Sequence, residues 1–220
     1  MCAYCVTART ETIQQSILVS NFQSISIKIA GDLHVTQAAS ATLVIEAEPR
    51  VVSQLRPRVL GGVLYLETTG EPIITQEPIR FYVTVPSLTA IEASGASTIA
   101  VDGLTASSFE LDLRGAHDFT ATHVRTGTLD IRLRGSGKAA LEGSTRKQTI
   151  AISGSADYVC PRLASEETSV TIAGSGDALV GVTRHLHASL SGSGDVQYLG
   201  NPIIESKLSG SGKVKPRSGS

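Results

Sequence analysis

Three aspartates, Asp157, Asp177 and Asp195, each stand three residues past a glycine, and 20 and 18 residues separate them. Placed on stacked strands they lie one strand spacing apart, roughly 4.8 Å, where three carboxylates repel unless something compensates. One compensation is Ca²⁺, a hard cation that takes oxygen ligands. The other is hydrogen bonding, with each Asp capping its own Ser-Gly-Ser-Gly turn. Lys138 and Lys213 bracket the run and weigh toward the capping role. A second constellation is Asp112, Arg114, Asp130, Arg132 and Arg134. Alternation along a strand sends all five to one face. A 20-residue offset then sets Asp112 beside Arg132 and Arg114 beside Arg134, and the first pair is expected as a cross-strand salt bridge. Such a patch offers guanidinium groups to an acidic glycan. It lacks the paired carboxylates that glycoside hydrolysis requires.

Other candidates fail on spacing. Gly135-Ser136-Gly137-Lys138 resembles a phosphate loop, but Arg132 stands where the leading glycine is needed and Ala139 where Ser or Thr should follow the lysine. His185 and His187 share a strand face, with His117 and His123 elsewhere, and no third ligand is spaced to complete a zinc site. Surface positions are expected for all four. The Cys2-x-x-Cys5 pair has redox or zinc spacing without a second pair, and Cys160 leaves the count odd. No cofactor is expected apart from Ca²⁺ at the aspartate column.

These residues are positioned by a ruler of glycines. Gly95, Gly115, Gly135, Gly154, Gly174, Gly192 and Gly210 recur every 18 to 20 residues, a period typical of a solenoid. Two residues before each marker come Ala93, Leu113, Leu133, Ile152, Ile172, Leu190 and Leu208, with mostly polar residues between them and the next apolar row. Four residues after come Ile99, Phe119, Ala139, Tyr158, Ala178, Val196 and Val214. This alternation predicts a strand on each side of a glycine corner, one face in and one face out. Serines after the markers (Ser136, Ser155, Ser175, Ser193, Ser211) should run as a hydrogen-bonding ladder. The 18–20-residue coils predict an all-β, single-domain, right-handed parallel β-helix over residues 21–215. Residues 1–20 read as a tail or processed lead-in and 216–220 as a C-terminal tail. The one helical turn is expected around Pro49–Arg56.

Composition agrees. Aromatics make up 4% of 220 residues and Trp is absent, so the core must be built from small branched side chains suited to narrow layers. The net charge of −1 offers nothing to nucleic acid or an anionic membrane. No apolar run reaches the ~18 residues a transmembrane helix needs.

Three motifs in order carry a family resemblance. Phe22-x-x-Ile25-x-Ile27 leads to Gly31-Asp32-Leu33-x-Val35. Gly61-Gly62-Val63-Leu64-Tyr65-Leu66 is followed by Val83-Thr84-Val85-Pro86-x-Leu88-x-x-Ile91. Ser-Gly-Ser-Gly-Asp repeats end at Asp177 and Asp195, with alanine in place of the first serine at 173. From Phe22 to Lys213 the chain resembles the putative auto-transporter adhesin, head GIN domain, family of bacterial envelope proteins. The resemblance implies a right-handed β-helix exported to the periplasm or cell surface. Met1–Cys5 carries no basic, apolar leader, and Cys2 is the position where lipid modification is expected if a leader precedes it. The expected function is a non-catalytic adhesion, scaffold or carbohydrate- or protein-binding module. The alternatives are a carbohydrate-active β-helix enzyme, of the lyase or hydrolase kind, and a self-associating structural protein. The basic tail with Pro216 discourages end-to-end growth, so a monomer or small homo-oligomer is expected.

Overall fold

The computed structural model describes residues 11–68, 70 and 73–217. Its N-terminal elements are β1 (Ile13–Ile17), β2 (Ser24–Ile27), β3 (Gly31–Gln37), β4 (Thr42–Ala47), α1 (Pro49–Val52), β5 (Arg58–Leu60), β6 (Val63–Leu66) and β7 (Arg80–Val85). The repeat region gives β8 (Ala90–Asp102), β9 (Thr105–Gly154), β10 (Asp157–Gly174), β11 (Ala178–Gly192), β12 (Val196–Leu199), β13 (Ile203–Gly210) and β14 (Val214–Pro216). The long strands bend round corners, so β9 alone spans more than two coils of a parallel β-solenoid of about six turns.

The marker glycines form the predicted corner column, and two separate constraints select them. All seven hold φ between 100° and 138°, a region that side chains disfavour. From Gly115 onward, a Cβ would also overlap the carbonyl oxygen of the preceding marker glycine. Along this column the hydrogen bonds are main-chain: Ser175 N donates to Gly154 O at 2.9 Å and Ser193 N to Gly174 O at 2.9 Å. The serine ladder is thus an amide ladder. The second corner column, at Gly103 and Gly143, has His123 in the intervening coil with φ 53°. Asp102 Oδ1 holds its ring, 2.8 Å from Nδ1.

Inward columns stack as expected: Ile91, Leu111, Ile131, Ile150 and Val170 on one wall, Ile99, Phe119, Ala139, Tyr158 and Ala178 on the next, all buried. From Phe119 to Ala178 large and small residues alternate along the second wall, which keeps a narrow interior filled. One stretch is polar. Tyr158 Oη donates to Gln148 Oε1 at 2.8 Å, and Gln148 Nε2 donates to Ser165 Oγ and Thr168 Oγ1 at 3.1 and 3.0 Å. Ser165 in turn reaches Gly181 O at 2.7 Å, so each polar group finds a partner.

The first third of the chain is not laid down in sequence order. β2 and β3 pair with β8 on one side and with β6 and β7 on the other, all in parallel. The second coil in sequence is therefore outermost in space. Beyond it the ladder turns antiparallel: β4 on β7, β1 on β4 and β5 on β6. Residues 13–17, expected in a tail, are this outer strand, and Gln14 Nε2 donates to Glu46 Oε2 at 2.9 Å. A tail reading fails here because β1's partner lies 30 residues away and shares no repeat with it. At the other end β14 extends through Pro216, one residue past the expected boundary. Cys2, Cys5 and residues 218–220 lie outside the described residues.

Candidate functional site

The expected charged patch lies on the outward face of β8 and β9. Ser26, Tyr65, Glu92 and Asp112 are brought into one row by the β2, β6, β8 and β9 register. They line an open groove of about 570 Å³ with Glu110, Arg114, Arg132 and Arg134. From Tyr65 to Arg132 the row crosses four strand spacings, roughly 19 Å. Tyr65 walls one end, with the Arg58 guanidinium carbon 5.2 Å from its ring centroid.

Charge pairing within the patch differs from the expected rows. Asp112 does not bond its row neighbour Arg132. It accepts from Arg134 Nη1 at 2.7 Å on the diagonal and from Arg114 Nη2 at 2.8 Å on its own strand. Arg132 instead bonds Glu110 and, at 3.2 Å, Asp130. A guanidinium outreaches the directly opposite position, so diagonals two residues away are within its grasp. The like charges Arg114 and Arg134 then share Asp112 between them, and Glu110 and Asp130 share Arg132. Arg114 also approaches Glu92 at 3.3 Å.

Electrostatics follow the pairing. Burial opposes ionisation of Asp112, but hydrogen bonds from Arg114 and Arg134 outweigh it and hold the carboxyl below its ordinary range. The Glu110 hydrogen bond raises Arg132, and Asp112 does the same for Arg114. Four carboxylates against three guanidiniums leave the patch near neutral. Asp112 is thus kept ionised, the opposite of the protonated state a glycosidase acid needs at neutral pH.

The aspartate column is real, but each carboxylate serves the next coil rather than its own turn. Asp157 Oδ1 accepts from Asp177 N at 3.0 Å, Asp177 Oδ1 from Asp195 N at 2.7 Å, and Asp195 Oδ1 from Lys213 N at 2.9 Å. Lys215 Nζ closes the column on Asp195 Oδ2 at 2.7 Å, and these bonds hold Asp195 below its ordinary pKa. Among the described residues no group of three His, Cys, Asp or Glu side chains is placed to hold a metal ion.

Histidines and the thiol divide by burial. His185 and His187 are exposed as expected, with His187 Nδ1 3.6 Å from Glu205. His117 is not on the surface: it is 3% exposed, 2.8 Å from Ser97 Oγ through Nδ1 and 3.1 Å from Arg114 O through Nε2. It fills a corner column that is otherwise serine, alanine or glycine. Cys160 is buried, accepts the Leu141 amide at 3.1 Å, and has its thiol pushed up to about 12 by burial, which makes it inert. Tyr65 escaped sequence reasoning as a site residue; its outward place in the row of Asp112 was the available signal.

The family's sequence profile, described as putative auto-transporter adhesin, head GIN domain, matches residues 21–202. The chain belongs to that family. No curated protein matches this sequence. The head GIN domain here is similar in fold to a putative adhesin of Bacteroides fragilis, at 20% identity and TM-score 0.89, covering 95% of this chain and 98% of that one. A putative adhesin of Parabacteroides distasonis gives 19% identity and TM-score 0.73, over 94% and 97%. A protein of the same organism described as a putative lipid binding protein gives 16% identity and TM-score 0.76, also over 94% and 97%. At these identities the likeness is one of fold. Among the described residues of this head GIN domain no helix is long and apolar enough to cross a membrane.

Proposed function

We propose that this chain is a non-catalytic binding module of the bacterial envelope or surface, with the groove at Tyr65 and Arg134 as its glycan-contacting face. The family implies an extracellular or envelope setting, where saccharides are the abundant ligands. One observation carries the reading: a half-buried tyrosine stands beside an ordered array of hydrogen-bond donors and acceptors in an open groove of about 570 Å³. Sugar rings are bound by an apolar face meeting aromatic carbon and hydroxyls meeting charged, fixed side chains. Because the arginines are already paired, the near-neutral patch favours an uncharged or weakly charged oligosaccharide over the acidic glycan suggested by the arginines alone. Every carboxylate is likewise engaged, which weighs against hydrolysis.

A glycan array probed with the purified chain tests this. Retention of neutral oligosaccharides is expected, persisting in 0.5 M NaCl because little of it rests on screened charge. Tyr65→Ala should weaken the best ligand by about tenfold or more, the loss of roughly 1.4 kcal/mol. Silence across the array, or full binding by Tyr65→Ala, would remove the groove from consideration.

A further inference from the structure

The two ends of the solenoid differ. At the N-terminal end, β4, β1 and β5 turn the ladder antiparallel, and α1 with Leu55 closes over the core, with Val51 and Leu55 buried. At the other end β13 pairs with β11 alone among the described strands, and all eight of its residues are exposed. Residues in its inward columns lie open: Ile204 at 39% and Leu208 at 49%, with Ile203 beside them at 66%. Their equivalents one coil back, Leu186 and Leu190, are buried. β13 therefore combines an unpaired strand edge with apolar side chains built for a core, the combination that invites strand addition.

We propose that β13 is the interface of a two-fold dimer in which it pairs antiparallel with β13 of a second copy, centred on Ser206. Three features of the strand fix this occupant and register. First, the hydrogen-bonding direction alternates along a parallel strand. In the row that Glu205 continues, Glu110 N points back to Thr89 O in the preceding coil, so Glu205 and, by alternation, Lys207 also point back. The amides and carbonyls of Ile204, Ser206 and Leu208 then face the open edge. A two-fold axis at Ser206 matches those groups to their own copies, with Ser206 opposite Ser206 and Ile204 opposite Leu208. Second, this register sets Glu205 opposite Lys207 twice, in the closer non-hydrogen-bonded positions. Centring one residue earlier would set Glu205 on Glu205, and one residue later Lys207 on Lys207. Third, the edges at the other end belong to the short antiparallel strands β1 and β5, which do not continue the parallel ladder that head-to-tail stacking would extend. A two-fold contact closes on itself and stops at two. In the same end coil, Lys215 is tied to Asp195 at 2.7 Å.

The test is the size of the intact 220-residue chain across concentration, by light scattering coupled to gel filtration and by sedimentation equilibrium. A dimer is expected. Glu205→Lys and Lys207→Glu each place two like-charged pairs across the axis and should weaken it about tenfold or more. The Glu205→Lys/Lys207→Glu double variant restores both opposite pairs and should restore the dimer. Circular dichroism spectra and melting of the isolated monomers should match, because these side chains are exposed within one copy. A chain that stays monomeric into the high micromolar range overturns the proposal. So does a dimer indifferent to the single variants, one not rescued by the double variant, or a ladder of lengths, which would signal head-to-tail stacking.

Discussion

Asp177 accepts the amide of Asp195 and donates its own amide to Asp157, so one residue type repeated in register builds a spine of carboxylate-to-amide bonds across coils. A backbone N–H compensates part of the charge of a carboxylate it bonds, the role a cation would otherwise fill. The consequence separates cleanly from a calcium site. Extracellular calcium modules bind at roughly 10⁻⁴ M, so 10 mM CaCl₂ would add about 2.7 kcal/mol and raise Tm by about 5–10 °C in a chain of this size. Here Tm should be the same in CaCl₂ and in EDTA, and a rise of that order would restore the cation reading. The position of the aspartates was legible because a fixed period places them. Their partners were not, because a period predicts which residues share a row and says nothing of which side of the row a carboxylate turns to. The same blindness misassigned Asp112, whose arginine lies on the diagonal.

At the scale of elements, the N-terminal cap hangs on Glu48, whose side chain is 1% exposed at the start of α1. Its carboxylate accepts from Gln76 N at 2.8 Å, Arg50 Nε at 2.7 Å and Thr75 Oγ1 at 2.9 Å, fixing the approach to β7. The Gln76 amide leads these causes, followed by Arg50, and together they overcome burial to lower its pKa from 4.5 to about 2. An unfolded Glu48 takes its proton near 4.5, the folded one only near 2. The stabilisation is therefore complete above pH 5, shrinks as pH falls from 4.5 toward 2, and is gone below that. Glu48→Gln should be less stable than the parent at pH 7 in urea melts, and the gap should close between pH 5 and pH 2. A gap independent of pH would mean that shape, not charge, is what Glu48 supplies. The helical turn at Pro49 was readable beforehand, but the pairing of the cap strands was not. β1, β4 and β7 meet across 26 to 42 residues with no repeat to align them, whereas β8 to β13 announce their pairing through glycines and inward apolar rows. The buried Gln148 did leave a trace: it stands in the inward column of Phe109 and Leu129, a polar residue where the period calls for an apolar one.

For the molecule as a whole, a solenoid's stability is close to a sum of coils and the interfaces between them. Interior coils of β9 to β11 have neighbours on both sides. The outer coil at the N-terminal end is covered by three strands and a helical turn, while among the described residues β13 has one neighbouring strand and no cover. Opening should therefore begin at β13 and β14 and proceed inward, because this costs one interface, while opening from the other end must first strip the cap. Native-state hydrogen exchange at low protein concentration should show β13 amides bonded to β11 exchanging at least ~100-fold faster than those of β9 and β10. Equal protection from β8 through β13 would mean that the solenoid opens as a single unit and that the asymmetry of its ends has no energetic weight. Concentration supplies the decisive second axis. The amides of Glu205 and Lys207 point into the chain's own ladder, those of Ile204, Ser206 and Leu208 toward the second copy. Raising the concentration should slow exchange at the latter three first, because only they gain a new acceptor when two open ends meet.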